Sequence, residues 1–278
     1  MNKLSKLSVL YRINVITDEG KALSKKYSLI GVPTVVLVSA DGKEIDRITG
    51  YGEKDEFLAT LSGYFFNVGT LDNLIEKSSK NPSADLFYKI AQKYYERGDV
   101  DNSLSTISKV REQPQLSDEI KLNINLLEGE CYLKKDKTKG IEILLKLVDS
   151  ENLKISESAF EDLSRFFYKI EDYNSLYNLY KKIFPKKSDD PQFLNSFAWT
   201  MGEIGKNLDE ALYAAKKAVE LSKEDPQILD TLAEIYYKMG DSKSAVATID
   251  KAIAKEPSDE YYKRQKEKFL TTKSKKGK

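Results

Sequence analysis

Short apolar runs separated by turn residues make up the first seventy residues. Residues 8–16 are rich in β-branched and aromatic side chains, which predicts a strand, and helix formers follow over residues 18–27. Residues 35–38 are apolar at every position, which predicts a strand buried on both faces. An Asp-Gly turn and period-two alternation after it predict a hairpin over residues 34–49, and helical spacing returns over residues 53–66. The predicted order is β, α, β, β, α.

From residue 71 onward the pattern is helical and begins to repeat. Residues 226–257 have the spacing of two antiparallel helices joined by a turn at Gly240. Alanines recur at matched positions of two tandem copies, 34 or 35 residues apart: Ala198, Ala211 and Ala218, then Ala233, Ala245 and Ala252. Weaker copies begin near residues 84, 122 and 157, so the sequence predicts five helix pairs.

Both patterns resemble known families. The Gly-Val-Pro-Thr corner at residues 31–34, the Asp-Gly of the hairpin and the Ile-Thr-Gly-Tyr after it resemble the carboxy-terminal half of a thioredoxin-like domain, over residues 8–66. In that family the proline at the position of Pro33 is usually cis and lies beside the catalytic Cys-x-x-Cys, where neighbouring backbone contacts substrate peptide. The helical part resembles the tetratricopeptide repeat, a helix-turn-helix unit of 34 residues. The expected fold class is α+β, mostly helical overall, with a partial thioredoxin-like α/β segment followed by an all-α solenoid.

This resemblance divides the chain into four segments. They are a partial thioredoxin-like domain at residues 1–66, a linker or helix at 67–83, about five repeats at 84–259, and a capping helix with a basic tail at 260–278. The thioredoxin-like family has a strand, a helix, a strand and the Cys-x-x-Cys upstream of the strand predicted near Ser8, and seven residues cannot hold them. Two interpretations stay open: an amino-terminally truncated chain, or a repurposed half-domain. The corner of Val32, Pro33 and Thr34 is accordingly either a peptide contact or a rigid turn.

The composition excludes several classes of chemistry. The 278 residues contain no histidine and one cysteine, Cys131, so Ser-His-Asp and Cys-His catalysis, histidine-bound zinc and an internal dithiol are all excluded for this chain. Because no phosphate-binding glycine motif occurs and the paired carboxylates fall at predicted helix starts, we predict no catalytic residue, no cofactor and no metal ligand. Cys131 itself is either a buried small apolar residue or a reactive thiol.

Three functions from different classes fit this sequence. The first is a protein-protein interaction scaffold, whose peptide contacts we predict at outward-facing residues of the first helices, Asn195, Tyr237 and Lys238. The second is a fragment of a thiol-disulfide oxidoreductase whose Cys-x-x-Cys lies in missing upstream sequence. The third, a nucleic-acid or membrane-surface binder, would depend on residues 261–278, which carry eight basic side chains and one acidic one. It is the weakest, because eighteen residues supply charge without a stacking platform or a long amphipathic face.

The predicted partner is therefore a protein or peptide, with no nucleic acid and no membrane span, and the sequence does not predict an oligomeric state. Residues 71–260 carry 28 basic and 35 acidic side chains, which favours a basic or neutral peptide. The first ten residues lack the apolar run of a secretory signal. The sequence as written thus predicts a cytoplasmic bacterial protein, and an exported parent stays open if upstream sequence is missing.

Overall fold

The computed structural model describes residues 8–271 and divides the chain into two compact units, unit 1 (Met1–Leu163) and unit 2 (Ser164–Lys278). Unit 1 contains, in order, α1 (Asp18–Lys26), β1 (Thr34–Val38), β2 (Glu44–Thr49), α2 (Lys54–Phe65), α3 (Leu71–Lys80), α4 (Ala84–Glu96), α5 (Val100–Arg111), α6 (Asp118–Lys135) and α7 (Lys137–Val148). Helix α8 (Leu153–Lys169) contains the boundary. Unit 2 continues with α9 (Tyr173–Lys187), α10 (Pro191–Ile204), α11 (Leu208–Leu221), α12 (Pro226–Lys238), α13 (Ser242–Lys255) and α14 (Glu260–Leu270).

Fourteen helices and two strands in residues 8–271 confirm the mostly helical fold class. Helix α14 lies in the segment predicted as a capping helix, and α3 lies in the segment predicted as a linker or helix. Residues 272–278 of the predicted basic tail lie outside the described residues.

The predicted hairpin is present. Strands β1 and β2 pair antiparallel, with Thr34 opposite Thr49, and an irregularity falls between Leu37 and Val38. The turn contains Gly42 at a φ of 77°, a conformation that glycine adopts without strain. Helix α2 then packs against β2.

Two strand predictions are wrong. Residues 8–16 form no strand, and Val9 and Leu10 are 95% and 88% exposed. A strand needs a neighbour for its backbone groups, and in the described part of the chain the sheet has only β1 and β2, which pair with each other. The run in β1 is not buried on both faces either, since its residues are half-buried and Val38 is exposed, because a two-stranded sheet has few neighbours to cover it.

A buried ionic network joins the hairpin to the helices that follow it. Asp46 of β2 is fully buried and accepts hydrogen bonds from the Leu71 backbone N–H at 2.7 Å and from Lys93 Nζ at 2.8 Å. Its neighbour Arg47 is 2% exposed and donates to the Glu44 carboxylate and to the Glu96 carbonyl at 2.7 Å. Strand β2 is thereby tied to α3 and α4 within unit 1.

The helices of unit 1 after α3 form two antiparallel pairs, α4 with α5 and α6 with α7. Each second helix begins at an aspartate that caps its backbone N–H groups, Asp99 for α5 and Asp136 for α7. Asp136 alone separates α6 from α7, and the two helices approach so closely that a Cβ on Gly140 would lie 2.4 Å from the Leu133 backbone nitrogen. The tight turn therefore requires glycine at this position.

In unit 2, α10 pairs with α11 and α12 pairs with α13. The six alanines that recur at matched positions are all fully buried, which confirms that small residues mark the close helix contacts. Helices α10 and α12 begin in the same way, with an aspartate cap followed by proline: Asp190 with Pro191, and Asp225 with Pro226. The helix starts and the close helix contacts of unit 2 therefore lie where capping residues and alanines occur in the sequence.

Candidate functional site

The proline corner predicted at residues 32–34 lies at the entrance of β1. The Val32–Pro33 peptide bond is cis. Thr34 Oγ1 donates to the Gly31 carbonyl at 2.7 Å, the Gly50 N–H donates to the Pro33 carbonyl at 2.9 Å, and the Val32 side chain is 65% exposed. The corner is held by its own backbone and presents an apolar side chain to solvent.

Cys131, the only cysteine of the chain, lies in a different place. It is fully buried in a core cluster with Ala91, Ile107 and Ile124, and its Sγ lies 3.4 Å from Ser103 Oγ. Burial raises the pKa of the Cys131 thiol to about 11. The thiol is therefore protonated near neutral pH, which fits the interpretation of a buried small apolar residue.

In unit 2, the first helices of successive pairs present one stripe of polar and aromatic side chains. The stripe is formed by residues about one helical turn apart, which share a helix face. We call it the α10–α12–α14 face, and it comprises Asn195, Trp199 and Glu203 of α10, Asp230, Glu234 and Lys238 of α12, and Tyr261, Gln265 and Lys268 of α14.

A cavity of about 260 Å³ lies on this face. Tyr168 of α8 and Trp199 are its aromatic residues, and they are 43% and 38% exposed. A Cβ on Gly202 would lie 2.5 Å from Ile235 Cδ1, so glycine permits the close packing of α10 on α12 beneath the cavity. The charged residues that line it are Glu203, Glu234, Lys238 and Lys268.

Hydrogen bonds between helices order the charged groups of this face. Lys268 Nζ donates to Glu234 Oε2 at 2.5 Å, while Lys238 Nζ lies farther from Glu234 Oε1, at 3.9 Å. The Tyr168 hydroxyl donates to Glu203 Oε2 at 3.1 Å. Glu234 therefore has two cations beside it, whereas the hydrogen bond to Glu203 comes from a neutral group.

Two buried oxygens near the cavity have no hydrogen-bond donor. They are Asn195 Oδ1 and Asp230 Oδ1, at matched positions of α10 and α12. Asp230 is 6% exposed, and its other oxygen accepts from the Tyr261 hydroxyl at 2.9 Å. Desolvation raises the pKa of Asp230 to about 6, although the Tyr261 hydrogen bond lowers it. Both residues lie one helical turn before cavity residues, Trp199 and Glu234.

The structure brings two of the three predicted contact residues to exposed or partly exposed positions on this face. Asn195 is half-buried, and Lys238 is exposed and lines the cavity. Tyr237 is half-buried as well, and its ring packs on Phe269 of α14, with ring centroids 5.1 Å apart, so its role as a peptide contact stays a prediction. Helix α14 thus covers part of the Tyr237 ring.

The sequence interpretation missed Trp199, Glu203, Asp230, Glu234 and Lys268. A signal for the residues of α10 and α12 was present, because they are matched positions in consecutive first helices, 35 residues apart. What the periodicity could not supply is the position of Lys268, since α14 is outside the clear repeats.

In residues 8–271, no group of three or more Cys, Asp or Glu side chains is placed to hold a metal ion. Within the same range, no helix combines the length and apolar character needed to cross a bilayer.

Comparisons with known proteins support both resemblances. The family model described as a thioredoxin-like domain matches residues 3–64, and the model described as a tetratricopeptide repeat matches residues 205–268. No curated protein shows significant similarity to this chain.

Solved structures of repeat proteins are similar to part of this chain. A tetratricopeptide repeat protein from Parabacteroides merdae is 10% identical, with a TM-score of 0.51, covering 67% of this chain and 72% of its own. YrrB, described as a TPR protein with an unusual peptide-binding site, is 17% identical, with a TM-score of 0.47, covering 71% of this chain and 99% of its own. MamA is 17% identical, with a TM-score of 0.44, and the match covers 68% of this chain and 97% of the MamA chain. At these identities the likeness concerns the fold alone.

The match at residues 3–64 contains the cis-proline corner and the hairpin, and the match at residues 205–268 contains α12 and α13 with their buried alanines. Residues 3–64 are therefore similar to a thioredoxin-like domain, and residues 205–268 are similar to a tetratricopeptide repeat.

Proposed function

We propose that this chain is a non-enzymatic interaction scaffold, and that the α10–α12–α14 face of unit 2 binds a peptide segment of a protein partner. The observation that carries the proposal is the cavity of about 260 Å³ with two partly exposed aromatic residues, Tyr168 and Trp199. Tryptophan and tyrosine contribute large contact areas and dominate the energetics of many interfaces. Asn195 is proposed as a polar contact beside them, and Lys238 as a contact residue that gives up its ion pair with Glu234 when the peptide binds.

The electrostatics of the face also favour a peptide over a small molecule. The carboxylates of Glu203 and Glu234 are acceptors, and Lys238 and Lys268 are donors, so a peptide backbone finds both kinds of partner in the cavity. A cavity of this volume is smaller than the roughly 300–1,000 Å³ typical of small-molecule sites. A side chain of a bound peptide fits this size better than a cofactor does.

An oxidoreductase fragment is the alternative, favoured by the thioredoxin-like match at residues 3–64. In that case a Cys-x-x-Cys in upstream sequence would act beside the corner of Val32, Pro33 and Thr34. The chain itself has one cysteine, and it is buried in another part of unit 1. Reading the genomic DNA upstream of the Met1 codon, in frame, for such a motif distinguishes the two proposals.

The test of the scaffold is a binding measurement with the full chain. Fluorescently labelled nonapeptide pools are titrated with wild-type protein, Trp199→Ala and Tyr213→Ala, and the anisotropy is measured. Tyr213 is a matched control, since it is 62% exposed on the second helix α11. We expect Trp199→Ala to weaken binding about tenfold or more, as for a central aromatic contact, and Tyr213→Ala to change it less than about twofold. Equal effects of both variants, or no binding by any pool, would contradict the proposal.

A further inference from the structure

The cavity on the α10–α12–α14 face has features that select among peptide side chains. Its aromatic residue Trp199 lies on the same helix face as Glu203, one turn away, and Glu234 lines it from α12. An indole and two carboxylates together favour a cation that is planar, because such a group can stack on the ring while its edge donates hydrogen bonds.

The hydrogen-bond balance of the face favours a donor. Asn195 Oδ1 and Asp230 Oδ1 are buried acceptors without a donor, and Asp230 is more than nine-tenths buried. The Glu203 carboxylate accepts from the neutral Tyr168 hydroxyl. Both buried oxygens are covered, so a ligand does not reach them, but their negative potential beneath the face favours a ligand that brings N–H groups over an acidic one.

The formal charge of the face agrees with this. Its acidic residues are Glu203, Asp230 and Glu234, and its basic residues are Lys238 and Lys268. With every carboxylate ionised the face has a charge of −1, which one cationic side chain would neutralise. Lys238 forms the weaker ion pair with Glu234, because its Nζ lies 3.9 Å from the carboxylate, whereas Lys268 Nζ lies at 2.5 Å.

We propose that the cavity binds an arginine side chain of the partner peptide, with its guanidinium against Trp199 and its N–H groups donating to Glu203 and Glu234. This inference rests on the proposed function, because it specifies the side chain that the scaffold recognises. Lys238 competes with the incoming guanidinium for Glu234, so its removal strengthens binding.

The experiment uses the intrinsic fluorescence of Trp199, which is the only tryptophan of the chain and therefore reports on the cavity directly. The full chain is titrated with amidated, acetylated nonapeptide pools whose central residue is fixed as arginine, citrulline, lysine, leucine or glutamate. Citrulline is nearly isosteric with arginine but neutral. The protein variants are Glu203→Gln, Lys238→Gln and, as a control with the same charge change as the first, Glu220→Gln on the exposed surface of α11.

We expect the arginine pool to bind about tenfold more tightly than the citrulline and lysine pools, as for a charge-assisted planar contact. Glu203→Gln should remove most of that preference and leave the affinity of the leucine pool unchanged. Lys238→Gln should raise the affinity of the arginine pool severalfold, and Glu220→Gln should change no affinity. Binding of all pools with equal affinity, or a preference for leucine or glutamate, overturns the arginine assignment and leaves the scaffold intact. If no pool changes the fluorescence of Trp199 or binds by anisotropy, both proposals are wrong.

Discussion

Substitution of Asp46 tests the network that joins the hairpin to α3 and α4. Asp46 is fully buried, and its Oδ1 lies 2.8 Å from Lys93 Nζ and 3.2 Å from Arg97 Nη2. Its Oδ2 accepts from the Leu71 backbone N–H at the start of α3. In Asp46→Asn one amide oxygen can retain a backbone hydrogen bond, but the negative charge between two cations is lost.

The magnitude follows from the burial of those cations. The side chains of Lys93 and Arg97 are only 12% and 16% exposed, so neither can recover full hydration. Removing one partner from a buried ion pair costs about 3–5 kcal/mol. Glu44 remains 3.3 Å from Arg97 Nε, so we take the lower end, about 3 kcal/mol. Since whole domains are stable by only about 5–15 kcal/mol, the variant should open locally far more often.

The assay is amide hydrogen exchange followed by mass spectrometry. About 3 kcal/mol corresponds to roughly a 100-fold faster exchange of amides protected by this opening, in peptides that cover residues 70–97. Peptides from α12 and α13 in unit 2 are the internal reference. Lys93→Met, alone and combined with Asp46→Asn, completes a double-mutant cycle in which the double variant should lose less than the sum of the single losses, because the contact between Asp46 and Lys93 can be lost only once.

The reasoning would be refuted if Asp46→Asn accelerated exchange less than about threefold, because the free energy of opening would then change by less than about 1 kcal/mol. The network would in that case contribute no more than a surface ion pair. Strict additivity of the two substitutions would refute it as well, since the loss would then not arise from the contact between Asp46 and Lys93.

Three further outcomes are expected. Gly140→Ala should lower the free energy of unfolding by about 1–3 kcal/mol in urea titrations, because its Cβ meets the backbone of α6, whereas Gly52→Ala, with open space around it, should change it by less than about 0.5 kcal/mol. Cys131 should not react with a thiol reagent at pH 8 until urea unfolds the chain, because burial raises its pKa to about 11, and the protein should not reduce insulin. The pKa of Asp230 is about 6 in the folded state against about 3.9 in the unfolded chain, so its ionisation costs the folded state more and more as the pH rises from 4 to above 6, where the cost reaches roughly 3 kcal/mol. Asp230→Asn should therefore gain stability relative to wild type as the pH rises from 4 to 7.5.

Each of these has an outcome that would contradict it. Equal stabilities of the Gly140→Ala and Gly52→Ala variants would mean that α6 and α7 separate without cost. Modification of native Cys131, or an insulin reduction rate that Cys131→Ser abolishes, would show an accessible thiol. Parallel pH profiles of wild type and Asp230→Asn, measured by Trp199 fluorescence in urea, would show that Asp230 titrates alike in the folded and unfolded chain.

The sequence by itself determined the parts of this protein that depend on neighbouring residues. The Asp-Gly turn and the alternation after it specify the hairpin, since both signals lie within sixteen residues. The aspartate caps and the alanines at matched spacing specify where helices start and where they pack, and all six alanines are fully buried. These features could be predicted because capping and helical periodicity are local properties of the chain.

Only the tertiary structure decided which side chains are covered. Period-two alternation in β2 shows that two faces exist, but Ile45 is exposed and Asp46 is buried, because the partners of Asp46 come from Leu71 and Lys93, 25 and 47 residues away. Residues 8–16 have the composition of a strand, yet composition cannot provide the neighbour that a strand needs.

The candidate site was decided in the same way. Tyr237 was expected on the surface because of its place in the repeat, but α14 lies outside the repeat pattern, and its Phe269 covers part of the ring. The same helix brings Lys268 to Glu234, a contact between residues 34 positions apart. Local sequence sets which residues share a helix face, whereas the packing of distant helices sets whether that face is buried, paired or open to a partner.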